Sequence, residues 1–387
     1  MNRNELCRDF FAVYGRVDDT PEVFFAPGRV NLIGEHTDYN GGFVLPCALQ
    51  MGTFMAIRRT EESMIRLASV NVPFRASVPL GKISVREEKQ WINYPLGIFN
   101  QILERGIPVP GFEILYAGNI PLSSGLSSSA SIEMVTAFAL DSILEANLGM
   151  EELIRLSKKA ENTFVGVNCG IMDMFAVGMG KKDHAIFLNC MTLEHRLVPL
   201  FLEGYTLEIA DTNKPRGLAG SKYNERVAEC RLAVASLSRF TEISHLGEIS
   251  YMQFYKNQDQ IPDEVIRKRA RHVLSENQRV LNSVSSLWNR DILQFGALMN
   301  ASHDSLRENY EVTGFELDTL VEEARKVPGV LGARMTGAGF GGCTVNLIQR
   351  DTVDRFRNEV GTNYHRRTNL EATFYPAEPS DGVHRLL

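Results

Sequence analysis

The sequence of 387 residues is short of the features that mark secreted, zinc-bound or membrane proteins. Its six cysteines are scattered without paired spacing, which argues against a disulfide framework and against a zinc site. No run comes near the roughly 18 apolar residues that cross a bilayer, and the N-terminus lacks the apolar core and cleavage site of a secretion signal. We therefore expect a cytoplasmic protein that does not bind membranes.

An excess of positive charge is missing as well. The chain carries 41 lysines and arginines against 47 aspartates and glutamates, a net charge of -6, which gives no general attraction to nucleic acid. One basic run, Arg267, Lys268, Arg269 and Arg271, lies in a helical pattern, where a solvated helix face is a simpler interpretation than a nucleic-acid patch. We expect small-molecule partners, no nucleic acid, and a monomer or weak oligomer.

The chain shows no low-complexity segment, no repeat and no linker rich in proline or glycine. Strand-like runs occupy residues 112–118, 184–189 and 205–211. A long helical pattern follows, with its apolar residues on one face: Ile266, Ala270, Val273, Leu274, Val280, Leu281, Val284 and Leu287. Strands and helices do not alternate regularly enough for a single parallel sheet, so we predict an α+β protein that divides near residue 200.

The stretch RMTGAGFGGCTVNLI places Gly337, Gly339 and Gly342 at the spacing of a dinucleotide-binding loop. Such a loop requires a helix after the glycines, because the helix N-terminus holds the pyrophosphate. Here the residues after Gly342 alternate between apolar and polar, which is the period of a half-buried strand. We therefore predict a strand, a turn and a second strand, and no NAD site.

A second glycine loop has the order of elements that binds phosphate. The strand-like run that ends at Gly118 is followed by Gly125, by three serines at 127–129 and by an apparent helix. Unpaired N–H groups and the helix dipole would converge there on an anion, with serine hydroxyls as further donors. Serines that only cap the helix are the alternative. The chain has no Walker A loop.

A third stretch, APGRVNLIGEHTDYNGG, brings Arg29, Glu35, His36 and Asp38 into ten positions. Carboxylates and an imidazole on a tight loop suit hydrogen bonds to vicinal hydroxyls, and an arginine suits phosphoryl charge. A metal at His36 or a merely structural polar turn would also give this pattern, although no second histidine stands at ligand spacing.

Together these stretches resemble the galactokinase family. GRVNLIGEHTDYNGG resembles its signature, and PLSSGLSSSAS and TGAGFGGC resemble two motifs of the wider superfamily of galactokinases, homoserine kinases and mevalonate kinases. AENTFVGVNCGIMDMF and GSKYNERVAECR resemble the segments that carry the catalytic aspartate and a sugar contact, and RHVLSENQRV has a counterpart too. The likeness runs in unbroken order from about residue 20 to the C-terminus.

The resemblance implies a fold and a reaction. The fold would join an N-terminal domain like the second domain of ribosomal protein S5, residues 1–200, to a ferredoxin-like C-terminal domain, residues 201–387. The reaction would transfer a phosphoryl group from ATP to the anomeric hydroxyl of α-D-galactose, giving galactose 1-phosphate and ADP. ATP and Mg²⁺ are the ligands that it would require.

The resemblance also implies roles for particular residues. Asp173, beside Arg29, would be the catalytic aspartate, and it would either accept the hydroxyl proton or only orient the hydroxyl. The sugar hydroxyls would be held by Glu35, His36, Asp38, the backbone at Gly170 and Tyr223. The ATP phosphates would be wrapped by Gly125, Leu126, Ser127, Ser128, Ser129 and Ala130, with Trp91 toward the adenine. Ser129 and Glu161 would hold Mg²⁺ directly or through water.

The sequence departs from the family pattern at a few positions. Met174 stands where glutamine is usual, and it either weakens a polar contact or only packs. Ser123 and Ser124 replace a commoner Gly-Ala, and Asn189 stands where aspartate is common. Two other functions stay open, namely a kinase for another sugar, above all N-acetylgalactosamine, and a non-catalytic galactose sensor. The sensor lacks a Ser-Ala pair that this chain has at residues 129–130.

Overall fold

The computed structural model describes residues 1–17, 19–85, 91–121, 124–167, 169–214 and 219–387. Its strands are β1 (Glu22–Asn31), β2 (Phe43–Val44), β3 (Pro46–Thr60), β4 (Met64–Ser69), β5 (Ala76–Pro79), β6 (Gly111–Gly118), β7 (His184–Asn189), β8 (His195–Pro199), β9 (Tyr205–Asp211), β10 (Val330–Thr336), β11 (Cys343–Gln349), β12 (Thr373–Pro376) and β13 (His384–Leu386). Its α-helices are α1 (Arg3–Tyr14), α2 (Asn93–Glu104), α3 (Ser128–Leu144), α4 (Met150–Lys159), α5 (Met172–Met179), α6 (Ala219–Leu237), α7 (Tyr251–Asn257), α8 (Glu264–Trp288), α9 (Ile292–Ser305), α10 (Phe315–Lys326) and α11 (Val353–Thr368).

The first sheet has the strand order β13-β1-β3-β6-β4-β5, and its neighbours are antiparallel except for the parallel pair β4 and β6. Helices α2 to α5 cover one face through a core that includes Phe24, Leu96, Met134 and Phe175. Helix α1 contributes Leu6 and Phe10 to a separate cluster with β1, β3, β4 and β6. Because both faces of the sheet are covered, β1 is buried along nearly its whole length.

The second sheet has the antiparallel order β10-β11-β9-β12. Helices α10 and α11 cover one face, where Leu320 and Phe356 are buried. Helices α8 and α9 supply Val280 and Met299 to another core, which also contains Val30 from the end of β1. This shared core holds the end of β1 beside the second sheet, so that residues from both halves of the chain meet there. A small third sheet has the order β2-β7-β8.

The predicted strands at 112–118, 184–189 and 205–211 are confirmed as β6, β7 and β9, and the glycine loop at 337–342 joins strand β10 to strand β11, as predicted. The long helical pattern is confirmed as α8, which begins after Asp263 because that side chain accepts hydrogen bonds from the first turn. Within the described residues, no helix is both long and apolar enough to cross a membrane. The division near residue 200 stays a prediction.

Two details of α8 differ from the sequence-based expectation. Leu281 is 37% exposed and does not share the buried face. The basic run is not a solvated face throughout, because Arg269 is buried and pairs with Glu229 at 2.8 Å and with Glu311 at 2.7 Å. Helix α6 and the turn after α9 supply these carboxylates, which the sequence of α8 alone does not reveal.

Candidate active site

The end of β1 and the first turn of α5 bring Arg29 and Asp173 together. Arg29 donates from Nε to Oδ1 of Asp173 at 2.8 Å and from Nη2 to Oδ2 at 2.9 Å, which makes a two-pronged ion pair. Its Nη1 donates to the carbonyl oxygen of Gly125 at 2.6 Å. Arg29 is buried, whereas the Asp173 side chain is 26% exposed. The carboxylate is therefore fixed in orientation but open to a ligand.

The loop of residues 125–130, the predicted phosphate loop, lies against this pair. The backbone N–H of Arg29 donates to the carbonyl oxygen of Leu126 at 3.1 Å. Ser127 has a left-handed φ of 60° just before α3, and its hydroxyl donates to Oδ2 of Asp173. Ser128 and Ser129 begin the helix, and Ala130 is a buried residue of its first turn. The first N–H groups of α3 have no partner within the helix, so the loop offers both N–H and hydroxyl donors to an anion.

Glu161 lies behind the loop, in a π-helical turn that continues α4. The Ser129 side chain acts to lower the pKa of Glu161, which shows that the two residues predicted to hold a metal are neighbours. Burial, together with the nearby charge of Asp173, raises the pKa of Glu161 to about 7. A bound cation would favour the ionised form of this carboxyl, so the pair is suited to a divalent metal.

Glu133 is a buried acid that the sequence analysis missed. It lies one helical turn after Ser129, and neither of its carboxyl oxygens has a hydrogen-bond partner within the described part of the chain. Burial raises its pKa well above the usual value, and the charges of Glu161 and Asp173 act in the same direction. The spacing of four residues from Ser129 on one helix was the available signal.

Asp38 and Gly170 form one side of the predicted sugar pocket. A Cβ atom built on Gly170 would lie 1.6 Å from Oδ2 of Asp38, so the carboxylate occupies the space that any side chain at residue 170 would need. Burial, and the nearby charge of Asp173, raise the pKa of Asp38 to about 7. The electrostatic effect of Asp173 on Asp38 indicates that the two carboxyls lie near each other.

His36 is neutral, and its tautomer follows from its contacts. Its Nε2 faces the carbonyl oxygen of Ala338 at 3.2 Å, and since a carbonyl only accepts, Nε2 carries the hydrogen. Burial lowers the pKa of His36 to about 3, so Nδ1 accepts from the Tyr39 hydroxyl at 2.9 Å. With both ring nitrogens engaged, the structure does not support a metal at His36. The ring of Tyr223 lies 5.7 Å from the ring of His36.

Glu35 lies in the signature loop, residues 32–42 after β1, and joins it to the glycine loop, residues 337–342 between β10 and β11. Its Oε1 accepts from the backbone N–H of Gly337 at 2.8 Å, from Oγ1 of Thr336 at 3.1 Å and from Nη1 of Arg334 at 3.4 Å. A Cβ atom on Gly337 would lie 3.3 Å from the carbonyl oxygen of Gly125, so the glycine loop also touches the phosphate loop. The three stretches of the sequence analysis therefore meet at one place.

Helix α8 holds the backbone of the signature loop through three residues that sequence reasoning did not assign. Nε2 of His272 donates to the carbonyl oxygen of Glu35 at 3.1 Å. The carboxylate of Glu276 accepts from the N–H of Gly34 at 3.0 Å, and Oδ1 of Asn277 accepts from the N–H of Phe43, which begins β2 directly after the loop, at 2.9 Å. All three lie in the stretch RHVLSENQRV, whose presence in order with the other motifs was the available signal.

Trp91 packs on the first sheet, with its ring 5.6 Å from that of Tyr116. Its indole N–H has no hydrogen-bond partner among the residues that the structure describes. The described part of the chain thus leaves a buried donor without a partner at the position predicted to lie toward the adenine.

The positions that depart from the family pattern have plain structural accounts. Met174 is fully buried in the core of the first half, so it packs and replaces no polar contact of the site. Oδ1 of Asn189 accepts from the N–H of Met191 at 3.0 Å, a bond that an aspartate would accept equally. The Ser124 hydroxyl donates to the carbonyl oxygen of Pro121 at 2.8 Å. Ser123 lies outside the described residues.

The sequence matches three family models: the galactokinase galactose-binding signature over residues 8–59, the GHMP kinases N terminal domain over 93–181, and the GHMP kinases C terminal over 283–366. The chain is 47% identical to a galactokinase of Clostridium beijerinckii over 388 residues, which covers 100% of this chain and 99% of that one. It is 45% identical to a galactokinase of Bacillus subtilis over 389 residues, with 99% of both covered. A crystal structure of Lactococcus lactis galactokinase complexed with galactose matches with a TM-score of 0.96 and 44% identity, covering 99% of both chains.

Proposed function

Because this chain belongs to the galactokinase family, we propose that the site described above transfers the γ-phosphoryl group of ATP to the anomeric hydroxyl of α-D-galactose. The reaction is galactose phosphorylation, and the fold is the two-domain α+β fold of the GHMP kinases. The observation that carries the assignment of residues is the Arg29–Asp173 ion pair, since it lies between the signature loop and the phosphate loop.

We assign the role of catalytic residue to Asp173. Its Oδ1 accepts from Arg29, and its Oδ2 accepts from Arg29 and Ser127, so the remaining lone pairs have a fixed direction for the sugar hydroxyl. In the reaction, the anomeric oxygen forms a bond to the γ-phosphorus while the bond from that phosphorus to the bridging oxygen of ADP breaks. The hydroxyl proton passes to Asp173, and in a loose transition state this transfer comes late. Arg29 stabilises the carboxylate and adds positive charge beside the transferring group.

The galactose hydroxyls lie, in this proposal, against the signature loop. Oε1 of Glu35 is committed to the glycine loop, but Oε2 makes no hydrogen bond within the described residues, so we assign Oε2 to a sugar hydroxyl. Asp38 accepts a second hydroxyl in its carboxylate form. The backbone at Gly170 and the Tyr223 side chain close the pocket on the sides where Asp38 and His36 lie.

The family uses ATP, and the phosphate loop supplies the donors that its phosphates need. We assign Mg²⁺ to Ser129 and Glu161. The residues fit this ion, because a hydroxyl lies near a buried carboxyl, and Mg²⁺ commonly takes one or two carboxylates and completes its coordination with phosphates and water. When bound, the ion would neutralise charge on the transferring phosphates. Trp91 offers its unpaired N–H on the adenine side.

The two alternative functions are not favoured, since the relatives of high coverage are galactokinases. Coupled detection of ADP release with galactose, 2-deoxygalactose and N-acetylgalactosamine tests the assignment of the sugar. We expect turnover with galactose and little with the N-acetyl sugar. Tight binding of galactose and ATP without turnover would instead support the sensor.

The Asp173→Asn variant tests the mechanism. We expect the variant to fold normally and to lose about 10²–10⁴-fold in kcat, because the amide cannot accept the proton. Asp183→Asn is the matched control, since Asp183 is exposed and has a left-handed φ of 60° that asparagine tolerates. Near-normal kcat in Asp173→Asn would overturn the assignment.

A further inference from the structure

A second cavity, which the reaction does not use, lies beside the signature loop. Its volume is about 220 Å³, and its wall contains Tyr39 and Asn40, which directly follow the sugar-site residue Asp38. The rest of the lining comes from the end of α4 and its π-helical turn, from the segment before α5, from α6, and from the segment before α7: Lys158, Asn162, Cys169, Val227, Cys230, Arg231, Val234, Ser244 and His245. None of these residues has a role in the mechanism above.

Among the described residues that line the cavity, Lys158 and Arg231 are cationic and none carries a carboxylate, although the chain as a whole is acidic. Neighbouring buried arginines are neutralised, because Arg226 and Arg269 both pair with Glu229. Lys158, which is partly buried, and Arg231, which is exposed at the rim, have no ion-pair partner among the residues that the structure describes. The positive charge of Lys158 acts to lower the pKa of Asp38, but the two side chains do not form an ion pair.

Asn162 adds a hydrogen-bond donor to the two cations of the cavity. Oδ1 of Asn162 accepts from the N–H and the thiol of Cys169 at 3.1 and 3.2 Å, which leaves its Nδ2 as an unused donor within the described residues. His245 pairs with Glu248 at 3.5 Å, so we do not count it as an unpaired cation. Two unpaired cations and an amide donor around one cavity select an anion with several acceptor oxygens.

We propose that this cavity binds a small phosphomonoester, and that its occupancy alters the binding of galactose. A phosphate dianion offers charge-assisted hydrogen bonds to both Lys158 and Arg231. The cavity of about 220 Å³ is smaller than the roughly 300 Å³ at which pockets for drug-sized ligands begin, which suits a sugar phosphate better than a nucleotide.

The connection to galactose runs through the cavity wall. Nδ2 of Asn40 donates to the carbonyl oxygen of His36 at 2.8 Å. The thiol of Cys230 contacts the hydroxyl of Tyr310 at 3.1 Å, and that hydroxyl bonds to Tyr39, which in turn bonds to the His36 ring. A ligand that moves Asn40 or Cys230 therefore moves the backbone or the ring of His36.

Calorimetry tests the binding in protein saturated with galactose and a non-hydrolysable ATP analogue, so that the reaction site is filled. The probes are inorganic phosphate and glucose 6-phosphate. We expect the wild type to bind about one equivalent, and the affinity to fall about tenfold for each cation removed, in Lys158→Met, Arg231→Met and the double variant. The matched control is Lys256→Met with Arg239→Met, which removes the same charges from exposed positions that do not line the cavity.

The coupling is tested by the KM for galactose with and without glucose 6-phosphate, compared within each protein. We expect the KM to change in the wild type and in the control, and to stay constant in the double variant. Absence of binding to the filled protein, equal affinity in the double variant and the control, or a wild-type KM that ignores the phosphomonoester would each overturn the proposal. Thermal unfolding of every variant verifies that the fold is retained.

Discussion

Replacement of Glu276 by glutamine should destabilise the protein and weaken its affinity for galactose. The buried carboxylate accepts from the N–H of Gly34 at 3.0 Å, from the Ser302 hydroxyl at 2.5 Å and from Nε of Arg279 at 2.6 Å. Burial alone would raise the pKa of Glu276, but the nearby positive charges, with that of Arg279 the largest, and the Ser302 hydrogen bond together outweigh it, and the pKa is lowered to about 2. A change from the usual 4.5 to about 2 corresponds to about 3 kcal/mol in the free energy of unfolding.

The sign of the pH dependence follows from the lowered pKa. The stabilisation is fully present above pH 4.5 and is lost as the pH falls through about 2, because the folded state then has to bind the proton as well. Urea unfolding should therefore give a difference between wild type and Glu276→Gln of about 3 kcal/mol at pH 7 and about half of that at pH 3. Glu264→Gln, at the exposed start of the same helix, should change stability by no more than about 0.5 kcal/mol.

Kinetics separate a positioning role from a merely structural one. Because Glu276 holds the backbone of the signature loop, the KM for galactose should rise by on the order of tenfold, whereas the KM for ATP should stay near the wild-type value. A Glu276→Gln protein as stable as the Glu264→Gln control at pH 7 would refute the energetic reasoning. Equal increases in the KM values for galactose and for ATP would refute the role of Glu276 in positioning the signature loop.

Three further predictions concern the reaction site. Gly170→Ala should raise the KM for galactose at least about tenfold, since its Cβ would displace the Asp38 carboxylate. Gly81→Ala is the control, because a Cβ there meets no atom within 4 Å and should leave the KM unchanged. Equal KM values in the two variants would refute the predicted sugar pocket. Burial raises the pKa of Asp38 to about 7. As the pH drops below 7 the accepting carboxylate is lost, so kcat/KM for galactose should fall. A kcat/KM that stays constant from pH 6 to 8 would contradict this role. Glu161→Gln should weaken Mn²⁺ binding to the protein–nucleotide complex by about 10–100-fold in spin-resonance titrations, and unchanged binding would refute the metal assignment.

Residues in continuous loops were the ones that the sequence could predict. The turn character of residues 337–342 followed from the alternation after Gly342, and the loop before α3 followed from a strand, a glycine and serines in order. Patterns of this kind are local, since one helix or strand and its flanking turn contain the whole signal. The family resemblance then supplied the chemistry that spacing alone left open between a polar turn, a metal site and a sugar site.

Contacts between distant segments could not be predicted in the same way. The hydroxyl of Ser127 points at Asp173, and helix α8 holds the signature loop from more than two hundred residues away in the chain. Arg269 shows the same limitation, because its charge pattern matched a solvated face while α6 supplied a buried partner. Burial at such positions depends on which elements pack together, and no single window of sequence contains that information.

The glycines of the site explain why the resemblance to a dinucleotide loop was only formal. A Cβ on Gly28 would lie 2.7 Å from the carbonyl oxygen of Leu126, and one on Gly339 would lie 2.2 Å from that of Val312. Gly337 and Gly339 also have φ values of 84° and 79°, which side chains rarely adopt. These positions require glycine because backbone packs on backbone where the three loops meet, and no helix N-terminus follows them. A shared spacing of glycines can therefore arise from close packing around a nucleotide site as well as from direct contact with a pyrophosphate.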